Sequence, residues 1–547
     1  MSASSKKKLR NAQEAEKLTE KQLTEQKEAK KLKIYSTIFV VVIALMIAFA
    51  VYTAVTNAIS HSGVRERNTT ALTVGNHEVS NAELNFYFID AVNKFYSTYG
   101  NYAAMFGLDV TKSLDEQVIS EETGATWADD FMTSAKENVK AVYALNDAAA
   151  EAGYTLPADQ LTNIDLTIAN MSAYATMYGY SNTDDYIKAM YGNGASEELL
   201  REYMTMTTLA SAYQNHYAQS LVYEDADLRA AEAENYAQYS AFSYNSYYLA
   251  TSKFLQGGTE DENGTVIYSD EEKEAARAAA EGTAKLLAQE ENNTVAKLDS
   301  AIAGLEINAE TEGAASTAYV NNSYASINST ILDWVTDETR QAGNITFIES
   351  ASTSTDAEGK ETTTVNGYYV VLFNGTDDNN FPLANVRHIL VPFEGGSYNS
   401  STGATTYTDE EKAAAKAKAE EILAAWEAGE ATEDSFAALA NEKSADSDGT
   451  DGGLYTDIYP GQMVEAFDIW CFTDGREPGD TGIVETEFGY HIMFYSGDSE
   501  TLYRDFIIKN DLMTEDTNAW YTALVDSYTV TEVDTKYVST DLVLASK

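Results

Sequence analysis

The feature that most constrains the fold is an internal repeat. Residues 268–287 (YSDEEKEAARAAAEGTAKLL) echo residues 407–426 (YTDEEKAAAKAKAEEILAAW). Other segments recur around them in the same order. The pairs are 244–250 with 385–391, 333–350 with 469–486, and 367–373 with 489–495. Because four segments recur in one order, which chance does not easily supply, the repeat predicts two related α+β domains in tandem.

The repeat and its flanks divide the 547-residue chain, which is too long for one hydrophobic core. Ala, Leu, Met, Glu and Tyr at helical spacing predict a helical module before the repeat. A helix after the repeat is expected to pack back onto this module, since a short lone helix is marginal in water. The expected parts are a basic tail (1–33), a transmembrane anchor (34–56), the helical module (57–235), the first copy (236–380), the second copy (381–498) and a C-terminal helical segment (499–547).

The expected anchor contains an uncharged run over residues 34–55, which as a helix would cross a bilayer core of about 30 Å. Residues 1–33 hold ten Lys and Arg against five Glu. The positive-inside rule therefore predicts a single-pass protein of the cell membrane, with a cytoplasmic N-terminus and an extracytoplasmic body. A cleaved signal peptide is the alternative, although its basic and apolar regions would both be unusually long.

The charge of the chain excludes one class of function. Beyond residue 33 there are 26 basic and 81 acidic residues. Such a surface repels nucleic acid, so no nucleic-acid partner is expected. It suits a body that stays dispersed among unfolded polypeptide clients, and it equally serves plain solubility. With one cysteine, Cys471, and five histidines, no metal site is expected, and no cofactor.

The second copy carries an ordered set of short motifs. They are VRHILV at 386–391, SFAALANEKSADSD at 435–448, DGG at 451–453, PGQMVEAFD at 460–468, PGDTG at 478–482 and FGYHI at 488–492. This set resembles the parvulin family of peptidyl-prolyl cis–trans isomerases. Its position, behind a helical module and before a C-terminal helix, resembles the PrsA and SurA type of extracytoplasmic foldase. The resemblance implies a membrane-anchored enzyme that isomerises X–Pro bonds in newly exported proteins.

The resemblance also implies site residues. Its catalytic set is His388, Asp446, Thr486 and His491, and its substrate-binding set is Leu454, Met463, Phe467 and Phe488. Histidines in strands, and an apolar pair four residues apart on a helix, are also ordinary features of a core. The family's Gly-Gly-Asp-Leu-Gly reads Gly-Gly-Leu-Tyr-Thr here, which leaves the place of Leu454 open. The loop after His388 has no Lys or Arg, so phosphorylated substrates are not expected.

The first copy is predicted to be degenerate. Its Tyr247 aligns with His388 and its Tyr369 with His491, so we expect a scaffold or a client-binding surface without isomerase chemistry. The alternative for the whole chain is a non-enzymatic holdase chaperone that uses the parvulin-like domains as client-binding modules. The tyrosines and methionines over 171–191 would then line a client surface, or they are ordinary core. The oligomeric state stays open, a dimer included.

Overall fold

The structure, a computed structural model, describes residues 3–11, 27, 31, 33, 41–56, 62–260, 262, 264–355, 359–446, 449–542 and 544. It divides into two units. Residues 1–221 and 515–547 belong to the first unit, and residues 222–514 to the second.

The α-helices and β-strands from residue 64 onward are numbered along the chain. The helices are α1 Val64–Asn68, α2 Asn81–Tyr99, α3 Trp127–Glu151, α4 Ala158–Met177, α5 Thr183–Tyr191, α6 Glu197–Ser220, α7 Asp225–Glu234, α8 Asp270–Leu287, α9 Val295–Ala303, α10 Leu332–Val335, α11 Asp409–Glu427, α12 Glu433–Lys443, α13 Glu465–Cys471 and α14 Tyr503–Asp526. The strands are β1 Thr70–Val74, β2 His77–Ser80, β3 Ala241–Ala250, β4 Thr259–Glu260, β5 Val266–Ile267, β6 Thr317–Ser323, β7 Ile345–Thr355, β8 Glu361–Asp377, β9 Pro382–Pro392, β10 Ser397–Asn399, β11 Ala404–Thr406, β12 Leu454–Ile458, β13 Thr481–Thr486, β14 Gly489–Leu502 and β15 Val530–Glu532.

The expected transmembrane anchor is corrected by the structure. In the part of the chain that is described, no helix is both long enough and apolar enough to span a bilayer. The described helix in this region covers residues 41–56, and residues 34–40 lie outside the described residues. The fold class with a transmembrane helix, and the membrane as a partner through that helix, were therefore wrong.

The first unit is built from helices and a small antiparallel sheet of order β15-β1-β2. Its core buries apolar side chains of that sheet together with one face of α2 and of α3, among them Leu72, Phe88 and Phe131. The N-terminus of α3 is closed by a capping box, in which the side chains of Thr126 and Asp129 each accept from the other residue's backbone N–H. Local capping and an amphipathic face together explain why this stretch is helical.

The C-terminal residues complete the first unit. The last turns of α14 carry Trp520, whose ring stacks on Tyr217 of α6 with the centroids 3.8 Å apart. Tyr213, one turn earlier on α6, meets the same indole edge-on at 6.0 Å. After the helix, β15 pairs with β1 and places Glu532 opposite Leu72. The chain end therefore packs into the helical module as both a helix and a strand.

The second unit contains the two copies of the repeat, and each forms a four-stranded sheet. The first sheet has the order β6-β3-β8-β7 and the second has the order β12-β9-β14-β13. In each copy a capping box begins the helix that covers the sheet, at Ser269 with Glu272 and at Thr408 with Glu411. Both glutamates also accept a backbone N–H from the preceding hairpin, at 2.9 and 3.0 Å. The repeat in sequence is therefore a repeat of topology and of local capping.

The strand register corrects the alignment of Tyr247 with His388. His388 lies four residues before the strand partner of Gly489, and the residue four before the partner of Gly367 is Ser246. Ser246 is buried, as His388 is. Tyr247 instead packs against the core on the opposite face of the first sheet. The first copy still has no histidine at this place, but serine is the residue that replaces it.

The stacked indole makes a prediction for the first unit. Trp520→Ala should lower the free energy of unfolding of this unit by about 2 kcal/mol, because a half-buried aromatic pair and its apolar area are lost. Urea unfolding followed by circular dichroism measures the change. Asn518→Ala, an exposed position on the same helix, is the matched control and should change stability by less than about 0.5 kcal/mol. Equal losses in the two variants would contradict this role for the indole.

Candidate active site

Two histidines lie on neighbouring strands at the centre of the second sheet. β9 and β14 are antiparallel, and His491 is opposite Leu390, so His388 lies diagonally next to His491 on the same face. Their Nδ1 atoms are 3.0 Å apart. Both side chains are buried, with 2% and 5% of their surface exposed. Strand pairing therefore brings together two residues that are distant in sequence.

A chain of hydrogen bonds runs through this pair. Nε2 of His388 lies 3.2 Å from Oδ2 of Asp446, and because a carboxylate only accepts, His388 carries its proton on Nε2. Its Nδ1 then accepts from Nδ1–H of His491, whose Nε2 accepts from the hydroxyl of Thr486 at 2.9 Å. Oγ1 of Thr486 accepts from the backbone N–H of Phe488 at 3.2 Å. With one proton on each imidazole, every hydrogen bond in this chain has one donor and one acceptor.

The electrostatics of the pair favour this neutral state. Burial and the neighbouring imidazole of His388 together lower the pKa of His491 to about 4, although the carboxylate of Asp446 opposes that shift. Burial also lowers the pKa of His388, although the carboxylates of Asp446 and Asp451 oppose that shift. Near neutral pH the two rings are therefore uncharged and act as polar, hydrogen-bonded groups.

Apolar side chains surround the histidine pair. Phe467 of α13 stands edge-on to both imidazoles, with centroids 5.5 Å from each. Met463, four residues earlier, is half-buried and packs against the same cluster. The ring of Tyr455 on β12 lies 5.0 Å from the ring of His388. These three side chains give the site an apolar wall beside a polar floor.

Leu454 does not belong to this site. It pairs with Arg387 across β12 and β9, so its side chain lies on the face of the sheet opposite to that of His388. The next residue, Tyr455, pairs with Val386 and lies on the site face, where its hydroxyl donates to Oδ2 of Asp446 at 3.1 Å. The sequence contained the signal for this residue, because Tyr455 is two positions after Gly-Gly, where the family's Gly-Gly-Asp-Leu-Gly has its leucine.

Phe488 lies at the rim of the site. Its ring is 55% exposed, at the turn between β13 and β14, and its backbone N–H holds Thr486. Of the eight residues proposed from sequence, the structure brings together His388, His491, Thr486, Asp446, Met463 and Phe467. Phe488 joins them through its backbone, and Leu454 does not join them.

The chemistry that this arrangement supports is non-covalent. The thiol of Cys471 is buried, and burial raises its pKa to about 12, so it is a poor nucleophile near neutral pH. Among the described residues, no group of three His, Cys, Asp or Glu is placed to hold a metal ion. An apolar wall beside neutral hydrogen-bonding groups, with one carboxylate and one phenol at the edge, is suited to binding an uncharged polar group such as a peptide bond.

A family model described as the PPIC-type PPIASE domain matches residues 368–496, a range that begins in β8 and ends in β14. These residues form a PPIC-type peptidyl-prolyl isomerase domain. The match confirms the parvulin-type isomerase that the motifs of the second copy predicted. No curated protein matches the chain.

Solved structures of peptidyl-prolyl isomerases are also similar to parts of the chain. PrsA from Bacillus cereus is 25% identical with a TM-score of 0.18, and the match covers 27% of this chain and 50% of that one. PrsA from Bacillus anthracis is 22% identical with a TM-score of 0.18, over 27% and 59%. PrsA from Bacillus subtilis is 14% identical with a TM-score of 0.25, over 76% and 91%. The match thus spans only half to three-fifths of the first two PrsA chains, and we base the isomerase domain on the family model.

A glycine beside His388 makes a prediction for the site. A Cβ on Gly453 would lie 2.3 Å from the carbonyl oxygen of His388, and its φ is +64°. Gly475 has a similar φ of +79° with nothing within 4 Å of a Cβ, so Gly475→Ala is a control for backbone strain alone. We expect Gly475→Ala to cost about 1 kcal/mol and Gly453→Ala at least about 3 kcal/mol in urea unfolding. Equal costs would mean that β12 does not lie this close to β9.

The histidine pair predicts a pH dependence of stability. The pKa of His491 is about 4 in the folded chain, against about 6.5 when unfolded. Between these values the unfolded chain binds a proton that the folded chain does not, so this histidine makes stability fall as pH falls. Relative to His491→Leu, the wild type should lose about 2 kcal/mol of unfolding free energy from pH 7 to pH 5. Comparing the wild type with His491→Leu removes the contribution of the many carboxylates, which both proteins share. A difference in unfolding free energy that does not change with pH would contradict a neutral buried His491.

Proposed function

We propose that this protein catalyses the cis–trans isomerisation of X–Pro bonds in unphosphorylated polypeptides. The observation that carries the proposal is the neutral histidine pair, hydrogen-bonded to Asp446 and Thr486 and flanked by Phe467. It lies in the domain that matches the isomerase family. The second copy of the repeat is therefore the part of the chain to which we assign the activity.

The reaction needs binding rather than bond chemistry. An X–Pro bond rotates over a barrier of about 18–20 kcal/mol because amide resonance is lost in the twisted state. A catalyst has only to bind the twisted amide more tightly than the planar one. Met463, Phe467 and Tyr455 supply an apolar site for the pyrrolidine ring, and the edge of the site holds the carboxylate of Asp446 and the hydroxyl of Tyr455.

The roles of the histidines follow from their burial. Since His388 and His491 are almost fully buried, they are positioning residues rather than groups that touch the substrate. His388 orients Asp446, whose side chain is 45% exposed. His491 is held by Thr486, and both imidazoles support the ring of Phe467. In this proposal the buried chain keeps the exposed groups in the geometry that the twisted amide requires.

The charges of the second copy favour unphosphorylated substrates. Arg387 is the only cation in β9, and its guanidinium contacts Glu433 at 2.9 Å on the face away from the histidines. The loop after β9 has no Lys or Arg up to Lys412, and that lysine is paired with Glu485. A phosphate group needs fixed cations or N–H donors, whereas the site edge presents Asp446.

We further propose that the clients are newly exported polypeptides and that the body of the protein works outside the cytoplasm. The support is the order of charge along the chain, in which a basic segment (1–33) precedes an uncharged run (34–55) and an acidic body. A basic region followed by an apolar region is typical of segments that direct a chain to export. A strongly acidic body also stays soluble among unfolded clients.

A holdase chaperone is the second candidate, and one observation favours it. The C-terminal end of α4 and the turn after it expose a group of large side chains, Tyr174, Met177, Tyr178 and Tyr180, with 39–65% of each accessible. Tyr and Met at a surface adapt to varied apolar partners. Met171 and Tyr191, from the same stretch, pack into the core instead. In this second candidate the client surface therefore consists of the exposed residues alone.

The test of the proposed function is the isomerisation of a short unphosphorylated Ala-Pro peptide by the full chain, followed by exchange NMR. Met463→Ala should lower kcat/KM at least about tenfold, because part of the apolar site for the proline ring is lost. Met105→Ala, at a methionine that is 81% exposed in the first unit, is the matched control. No acceleration by folded wild type, together with protection of a proline-free client from aggregation, would favour the chaperone instead.

A further inference from the structure

The first copy has its own version of the isomerase site, and the two sheets align residue by residue. Ser246 takes the place of His388, and Tyr369 takes the place of His491. On the neighbouring edge strand, Tyr319 pairs with Tyr244 as Tyr455 pairs with Val386. The list of matching positions is therefore Ser246 with His388, Tyr369 with His491, Tyr244 with Val386 and Tyr319 with Tyr455.

The apolar pair of the second copy also has a counterpart. In both copies an arginine stacks on a tryptophan six residues earlier and donates Nε–H to its carbonyl oxygen, at 3.0 Å for Arg340 and 2.7 Å for Arg476. Ile327 and Met463 are as far apart in the sequence as these two arginines, and so are Ile331 and Phe467. Ile327 therefore corresponds to Met463, and Ile331 corresponds to Phe467. Both isoleucines are buried in the core cluster beside the site face.

Tyrosines line this face of the first sheet, and one of them, Tyr369, stands where the second copy has His491. The rings of Tyr248 and Tyr369 are 4.7 Å apart, and those of Tyr244 and Tyr319 stack at 4.7 Å. Tyr248 and Tyr319 each keep 38% of their surface exposed. Gly367 allows this arrangement, because a Cβ there would lie 2.7 Å from the ring of Tyr248.

We propose that the first copy binds proline-containing extended segments of the client on the face formed by Tyr248, Tyr319 and Tyr369, and does not isomerise them. This rests on the proposed function, since the occupant is the client of the second copy. Tyrosine faces pack against proline rings, and their hydroxyls bond to backbone carbonyls, as in aromatic grooves that dock polyproline-type segments. Tyr319 takes the place of Tyr455, one of the side chains that we assign to the proline ring in the second copy.

This first-copy face lacks the parts that the second copy uses to stabilise a twisted amide. At the two histidine positions the first copy has a serine and a tyrosine. The hydroxyl of Tyr369 accepts from Nδ2 of Asn328 at 3.3 Å. A segment held here contributes affinity. Because both copies belong to one chain, such a segment also raises the local concentration of neighbouring X–Pro bonds at the second copy.

The test is photo-crosslinking of the full chain with a short peptide that has a benzophenone side chain next to a single Ala-Pro, with mapping by mass spectrometry. We expect crosslinks in both copies. Tyr248→Ser combined with Tyr319→Ser should reduce first-copy crosslinks about tenfold. Tyr398→Ser, a tyrosine that is 70% exposed on the β10–β11 hairpin, is the matched control and should leave them unchanged. Replacing the proline of the probe by alanine should also remove first-copy crosslinks.

The outcomes separate this inference from the proposed function. Isomerisation of the same peptide without first-copy crosslinks, or first-copy crosslinks that persist in the tyrosine variant or with the alanine probe, would overturn the first-copy site alone. First-copy crosslinks that depend on proline, without isomerisation by folded wild type, would overturn the proposed activity and leave the binding site. Circular dichroism of each variant identifies a loss that comes from misfolding.

Discussion

The antiparallel pairing of β9 with β14 is the interaction on which the isomerase site depends. It sets His388 and His491 on one face with their Nδ1 atoms 3.0 Å apart. Burying two imidazoles is costly unless each polar atom finds a partner, and here every ring nitrogen has one. The same contacts fix Asp446 and Thr486, so the geometry of the exposed edge follows from a buried chain of hydrogen bonds.

The first copy indicates what the histidines are for. It has the same strand order, the same helix capping and the same arginine-on-tryptophan contact, yet it contains Ser246 and Tyr369 where the second copy has its histidines. The sheet therefore folds without the histidine pair. Retention of the pair in the second copy is better explained by the site than by the fold, because ordinary packing would be satisfied by tyrosine or serine.

Short sequence motifs predicted more of this structure than could be inferred about how its strands pair. The repeat and the group around His388 and Phe467 follow from short motifs that are visible in one sequence. The places of Leu454 and Tyr247 do not. A shift of one residue moves a side chain to the other face of a strand, and the pairing of the strands, rather than the composition, sets that register.

Two further differences between the sequence-based predictions and the structure concern the transmembrane anchor and a hydrogen bond of Tyr455. The transmembrane anchor was predicted from an uncharged run, whereas no helix in the described part of the chain is both long enough and apolar enough to span a bilayer. The hydrogen bond from Tyr455 to Asp446 joins β12 to a loop, and only the folded chain shows that these two residues meet.

The role of the histidine pair is tested by placing the site residues of the first copy in the second copy. The double variant His388→Ser with His491→Tyr gives the second copy the residues that the first copy has at these two positions. The sheet of the first copy folds with Ser246 and Tyr369 in these places. We expect a protein that is folded by circular dichroism and whose kcat/KM for an Ala-Pro peptide is at least about a hundredfold below that of the wild type. A folded double variant with wild-type activity would contradict the central role of the histidine pair.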